Sequence, residues 1–140
     1  MQRTLAMIKP DAVRKQALGP ILTTIAEAGL AVRALKLIRL TAHEAEGFYA
    51  VHRERPFFAA LCAYMSSGPI VAMVLEGDGA IDTWRKLMGP TDSRKAAPDT
   101  IRGRFGTDIE QNAVHGSDAE ATAAYEMGYL FSGRELRALE

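Results

Sequence analysis

His115 is the first residue whose type and place suggest chemistry. It stands two positions before Ser117-Asp118-Ala119-Glu120, a serine followed three residues on by a glutamate, which is the pattern of a capping box opening a helix. The free N–H groups and positive dipole end of such a helix would stabilise an anion on or near the imidazole, by roughly 0.3–1 kcal/mol at an exposed site. An imidazole has a reference pKa of about 6.5, so it is a competent neutral nucleophile near pH 7. The same residue could equally close a strand and bond to a carbonyl. Three cations come next: Lys9 after an apolar run, Arg85 inside a helical stretch, and Arg102 in a polar stretch. A polyphosphate needs positive donors arriving from several directions, and arginine offers a planar fork suited to its oxygens. Each of these could also be a solvated surface charge, and spacing alone does not say whether they converge. The glycine-rich cradles are missing: there is no G-x-x-x-x-G-K-[ST], no helix-opening G-x-G-x-x-G, and no kinase H-R-D or D-F-G set. Phosphate handling in this chain would have to run through side-chain clamps and a covalent route.

The elements that must position these residues can be read from the pattern. Thr4 to Ile8 is a short apolar run stopped by Lys9-Pro10-Asp11, as expected of a buried strand. Leu18, Ile21, Leu22, Ile25 and Ala26 recur at helical spacing, with Gly29 as the stop. Residues 30–40 carry Arg33, Lys36 and Arg39 three apart, a hint of a helix face, but Gly29 and the Thr41-x-x-Glu44 capping box bracket them as a strand. That box opens a helix through about Val51, and Pro56 starts another with Phe57, Phe58, Leu61, Cys62 and Met65 on its apolar side. Ile70 to Leu75 reads as a central strand, and Gly77-Asp78-Gly79 turns it into a helix carrying Ile81, Trp84, Leu87 and Met88. A long polar loop spans about 89–111, Asn112 to Gly116 could be a short strand, and the second capping box opens a helix to about Leu130. The order is compatible with a ferredoxin-like α+β sandwich: a βαββαβ frame, a four-stranded antiparallel sheet and helices packed on it.

Bulk properties narrow the class. Residues 1–140 read as a single domain, and 48% hydrophobic with 24% charged residues is ordinary globular composition. Seventeen basic residues balance seventeen acidic ones, so polyanion binding must come from a local cluster. The single cysteine, Cys62, excludes an internal disulfide and gives no zinc spacing. Met1-Gln2-Arg3 leads directly into the first strand, with no signal-peptide core and no membrane-spanning apolar run, which predicts a cytoplasmic protein.

Asn112-Ala113-Val114-His115-Gly116-Ser117-Asp118 resembles the N-x-x-H-G-S-D signature of the nucleoside diphosphate kinase family. Thr4 to Val13, Arg55 to Phe58, Ser67 to Val71 and Thr100 to Gly103 resemble that family's segments in the same order, so the likeness runs over nearly the whole chain. The resemblance implies γ-phosphoryl transfer from a nucleoside triphosphate such as ATP or GTP to a diphosphate, through a phosphohistidine at His115. It implies that Glu126 holds the other ring nitrogen. Lys9, Tyr49, His52, Arg85, Thr91 and Arg102 would line the phosphate path. Lys9 and Asn112 would bond ribose hydroxyls, and Phe57 and Ile109 would sandwich the base. A phenyl face stacks on every base, so little base selectivity is expected. Mg²⁺ would arrive on the nucleotide phosphates rather than in a protein cage, with no protein metal ligands. For Glu126 to reach His115, the strand must run back beside the last helix, because nine residues from Ser117 are about 13 Å of helix rise.

The resemblance also implies a homo-oligomer built from dimers, hexamer before tetramer, with neither membrane nor specific nucleic-acid partners. Thr91-Asp92-Ser93 departs from the family's threonine, asparagine and proline, Asp99 from a glycine, and Arg104 from an acidic residue. Loss of the proline frees φ at Ser93 and is expected to loosen the loop. The resemblance, with the chain ending at Glu140 slightly short of many relatives, leads to the expectation that another possible set of subunit contacts is missing. His43 reads as a solvated first-turn residue, Cys62 as a core thiol, and Trp84 as a core or subunit-contact residue. The alternative reading is a non-catalytic ferredoxin-like nucleotide- or RNA-binding protein or scaffold. An RNA-binding sheet calls for aromatics on the central strands, and Leu5 to Ile8 and Ile70 to Leu75 have none.

Overall fold

The computed structural model describes residues 1–137; Glu140, where the shortened tail was expected to matter, lies outside them. In chain order the elements are β1 (Gln2–Ile8), α1 (Pro10–Arg14), α2 (Leu18–Glu27), β2 (Ala31–Ile38), α3 (Ala42–Phe48) and α4 (Phe58–Met65). There follow β3 (Ile70–Gly77), α5 (Ala80–Met88), α6 (Ile101–Phe105), β4 (Val114–Gly116), α7 (Glu120–Leu130) and α8 (Gly133–Arg137). The strands form one sheet in the order β2-β3-β1-β4. Each neighbouring pair is antiparallel. This is the ferredoxin-like α+β arrangement, with α3 and α4 inserted between β2 and β3.

Both faces of β1 and β3 are covered, which is why these strands read as continuous apolar runs rather than alternating ones. Ala6, Ile8, Val71, Met73 and Leu75 face one core with Ile21 and Ile25 of α2 and Trp84 and Met88 of α5. Leu5, Met7, Ala72 and Val74 face the other, with Phe48, Cys62, Met65 and Leu130. Trp84 is therefore a core residue and Cys62 a buried thiol, while His43 is exposed. β2 is an edge strand. Its charges at Arg33, Lys36 and Arg39 hinted at a helix, but Ala31 to Ile38 pair with β3 around an irregularity between Val32 and Ala34.

Several boundaries differ from the expected ones. The Thr41 capping box forms as predicted, with Glu44 N–H on Thr41 Oγ1 at 3.1 Å and Thr41 N–H on Glu44 Oε1 at 2.8 Å. Yet α3 stops at Phe48 instead of about Val51, and a 3₁₀ turn covers Ala50–His52. The Gly47 carbonyl, which a longer helix would spend on Val51, accepts the Tyr125 hydroxyl at 2.7 Å. α4 begins at Phe58, since Pro56 lies in a preceding turn in which Phe58 N–H bonds the Arg55 carbonyl at 3.1 Å.

The second capping box does not form. Ser117 Oγ bonds Glu126 instead, and Thr122 Oγ1 accepts the N–H groups of Asp118 and Ala119 at 3.2 and 3.0 Å, so α7 starts at Glu120. His115 thus sits further from a helix N-terminus than its sequence suggested. Finally, the stretch 89–111 is not featureless: it holds a 3₁₀ turn at Ser93–Lys95 and the whole of α6, capped by Thr100 Oγ1 accepting from Gly103 N–H at 3.0 Å.

Candidate active site

β4 places His115 opposite Met7 of β1, on the face that carries Phe48 and Tyr49. Trp84, on the other face, fixes the same residue's backbone by donating Nε1–H to the His115 carbonyl at 3.1 Å. The His115 ring lies edge-on to Phe48, with centroids 5.4 Å apart, and to Tyr49, at 6.0 Å. Its Nε2 is 2.7 Å from Glu126 Oε1. The chain does turn back beside α7, whose second turn delivers the carboxylate. Ser117 Oγ donates to the same carboxylate oxygen at 2.9 Å. A carboxylate can only accept, so Nε2 carries a proton, and in the neutral imidazole Nδ1 keeps its lone pair.

His115 opens on a cavity of about 550 Å³, within the range of small-molecule sites. Lys9, Tyr49, His52, Arg85, Thr91 and Arg102, the residues expected along a phosphate path, all line it. So do Asn112, Phe57 and Ile109. Phe57 is 49% exposed and Ile109 59%, whereas Phe58 packs into the core; the two adjacent phenylalanines divide between mouth and interior. Glu126 is not among the lining residues; it bonds His115, which is.

Two of the three cations prove to be buried rather than solvated. Lys9 is 7% exposed, and burial, helped by Arg102, brings its pKa down to about 8 against the opposing pull of Asp11 and Glu110. Arg102, expected in a loop, sits on α6. Its Nε, Nη1 and Nη2 donate to the carbonyls of Asn112, Gly89 and Val114 at 3.2, 2.9 and 2.9 Å. Burial and then neighbouring Arg85 lower its pKa to about 10, so it remains charged at neutral pH. Arg102 therefore braces the backbone ahead of His115 and keeps N–H groups for the cavity. Arg85 stays half-exposed and pairs with Asp118 at 3.2 Å.

Some polar atoms have no partner among the described residues. Tyr49 Oη is buried, and burial followed by the Glu126 charge pushes its pKa up, so it acts only as a neutral hydroxyl. Asn112 donates Nδ2–H to the Thr91 carbonyl at 3.0 Å, leaving Oδ1 unpaired. Such groups are costly to bury alone and fit a site that takes a polar ligand.

Ser117 and Asp118 read as helix-capping residues in the sequence, and their places beside Glu126 and Arg85 were missed. Their adjacency to His115 was the available signal. Leu61 and Glu110 also line the cavity and gave none. At the altered loop, Ser93 is buried in its 3₁₀ turn. Asp92 braces that turn through Arg94, accepting its backbone N–H at 3.1 Å and pairing with its guanidinium at 3.0 Å. Asp92 thus ties the turn from the residue before Ser93, the position that departs from proline.

A sequence model of the nucleoside diphosphate kinase family matches residues 2–136. Among curated relatives, the nucleoside diphosphate kinase of Oleidesulfovibrio alaskensis is 58% identical over 135 residues, 96% of this chain and 97% of that one. That of Acidiphilium cryptum is 55% identical, covering 96% of each. The solved Aquifex aeolicus nucleoside diphosphate kinase superposes with a TM-score of 0.93 at 52% identity, over 96% of this chain and 97% of that one. The Halobacterium salinarum enzyme, in complex with CDP, gives 0.92 at 40% identity, over 96% and 90%. With the histidine, its carboxylate and the cation-lined cavity in place, these likenesses show that the chain belongs to the nucleoside diphosphate kinase family.

Proposed function

We propose that this protein moves the γ-phosphoryl group of a nucleoside triphosphate to a nucleoside diphosphate by a ping-pong route, with His115 carrying the group between them. The observation that carries this reading is the 2.7 Å contact of His115 Nε2 with Glu126 Oε1 at a cavity lined by Lys9, Arg85 and Arg102. Nδ1 attacks the γ-phosphorus. The Nδ1–P bond forms as the bond to the bridging oxygen breaks, and its electron pair leaves on the diphosphate. No proton has to move, because Nε2 keeps its hydrogen and Glu126 balances the positive charge that develops on the ring. A second diphosphate then runs the step in reverse. Transfer of this kind depends mainly on in-line placement and charge stabilisation, which the cations and the Tyr49 hydroxyl supply.

The ribose lies at Lys9 and the Asn112 Oδ1 acceptor, and the base lies at the mouth between Phe57 and Ile109. Contacts of that kind read sugar and phosphates while leaving the base edge largely unread. A divalent ion such as Mg²⁺, bound with the nucleotide, would supply charge neutralisation to the phosphates. The donor set fits a metal that enters on the nucleotide: the cavity is chiefly cationic, its carboxylates are the separate Asp118 and Glu110, and no group of three or more His, Cys, Asp or Glu gathers among the described residues. We place the protein in the cytoplasm as a homo-oligomer of dimers, hexameric in the first instance. The exposed edge strand β2, with Val32, Leu35 and Leu37 39–64% exposed, supports the dimer. No helix among the described residues is long and apolar enough to cross a membrane.

Initial-rate kinetics test the route. Varying ATP at several fixed concentrations of GDP, CDP or UDP should give parallel double-reciprocal lines with every acceptor. Intersecting lines would mean a ternary complex and direct transfer, with His115 as a bystander.

A further inference from the structure

The backbone just ahead of His115 holds a shape that its sequence does not favour. Ala113 has φ of 71° and is fully buried. The N–H of Val114 donates to the Asn112 carbonyl at 2.8 Å, closing a three-residue γ-turn of the rare positive-φ kind. Such a conformation suits glycine, and a residue with a Cβ persists in it only when its surroundings over-determine it. The turn separates two residues of the site, Asn112 before it and His115 after it.

Both backbone groups of Ala113 are gripped. Its carbonyl accepts Lys9 N–H at 2.8 Å, and its N–H donates to Asp11 Oδ2 at 3.0 Å. Asp11 is 2% exposed and is itself gripped by Tyr64 of α4. The Tyr64 hydroxyl donates to Asp11 Oδ1 in a very short bond and accepts Asp11 N–H at 2.9 Å. Burial, and then the bond to Asp11, pushes the Tyr64 pKa up, so this donor stays protonated. Neither Asp11 nor Tyr64 lines the nucleotide cavity.

We propose that Asp11, braced by Tyr64, is a positioning residue for phosphoryl transfer: it holds Ala113 in the γ-turn and so sets Asn112 and His115 in register with the cavity. This rests on the reading of His115 as phosphoryl acceptor. Its range is long for a single carboxylate, because it ties α1 and α4 to the lead of β4 while touching no substrate.

The test is the rate of phosphohistidine formation from ATP and Mg²⁺ in rapid-quench experiments, read by intact mass, beside thermal melting. Asp11→Ala should slow labelling at saturating ATP by about tenfold or more, as displacements near 1 Å do. Asp11→Asn, which retains an oxygen for the Ala113 N–H, should lose much less, and Tyr64→Phe should fall between. The deciding variant is Asp11→Ala with Ala113→Gly. Glycine accepts positive φ without a Cβ penalty, so the double variant should regain part of the lost rate. If Asp11→Ala labels as fast as wild type, or glycine restores nothing, Asp11 is only a fold residue and the inference is overturned. If Asp11→Ala does not fold, equal labelling rates in Tyr64→Phe and wild type overturn it instead. Absence of label in the wild type defeats the nucleophile reading and this inference with it, whereas a labelling wild type confines any failure to the clamp.

Discussion

On the proposed route, hydrogen bonding selects which nitrogen of His115 reacts. Glu126 takes Nε2–H and shares its oxygen with Ser117, so the carboxylate orients the ring and, on the proposed route, would answer the charge that develops there. Glu126→Gln keeps the shape but removes the charge. A charge-assisted bond is worth about 1.5–3 kcal/mol, so phosphoenzyme formation should slow by roughly ten- to a hundredfold. Unchanged single-turnover rates would limit Glu126 to packing. Lys9 gives a second prediction, in pH. Its pKa near 8 lies below the ordinary 10.5 because burial and Arg102 disfavour the charge, while Asp11 and Glu110 favour it. Between those two values the unfolded chain holds a proton that the folded one has lost, so this group's contribution to stability grows as pH rises through the window. The proposed phosphate binding by Lys9 runs the other way, since it needs the ammonium form. ADP affinity measured calorimetrically should fall by up to about tenfold per pH unit above 8, and Lys9→Arg should flatten that fall. A flat wild-type profile from neutral to alkaline pH would remove Lys9 from the binding step.

At the scale of elements, β4 is short, and its position depends on how closely α5 approaches. A Cβ at Gly116 would lie 2.5 Å from Trp84 Cδ1 and 2.8 Å from Met88 Cε, both inside the core. Gly116→Ala should therefore destabilise the protein by about 1–3 kcal/mol and lower its Tm by roughly 3–10 °C, with activity falling because His115 is the adjacent residue. A melting curve that overlays the wild type would show that α5 can give way. The elements that sequence reading found are those with enough length to show a period or a flanking stop, such as β1, β3, α2 and α5. Those it missed are short or tertiary in origin. The five-residue α1 begins at Pro10, where Lys9-Pro10-Asp11 read only as a stop, and α6 is too brief to reveal itself inside a polar stretch. The failed capping box at Ser117 has a tertiary cause, because a carboxylate nine residues on claims the hydroxyl first. Asp11 and Tyr64 were invisible as partners, since 53 positions of chain separate them.

Over the whole molecule, zero net charge conceals a local concentration of positive charge drawn from distant parts of the chain: Lys9 after β1, Arg85 on α5 and Arg102 on α6. Family motifs made the membership of this cavity legible, whereas the burial of Lys9 and the bracing role of Arg102 depend on three-dimensional packing that no motif encodes. The other large-scale feature is β2 at the edge of the sheet, where Leu37 is 64% exposed and Leu35 43%. An exposed apolar edge invites pairing with another chain, and a charge placed on it discourages that. Leu37→Lys should shift the sedimentation of the protein toward smaller species while leaving the monomer fold intact by circular dichroism. Unchanged sedimentation would move the proposed dimer contact to another face.

The most direct test of the central claim is intact-protein mass after brief mixing with ATP and Mg²⁺, beside His115→Ala. The structure predicts one added phosphoryl group on the wild type, stable to base, labile to acid, discharged by GDP and absent from the variant. An unlabelled wild type, or a variant that still labels, would contradict the assignment of His115 as the group that carries the phosphoryl.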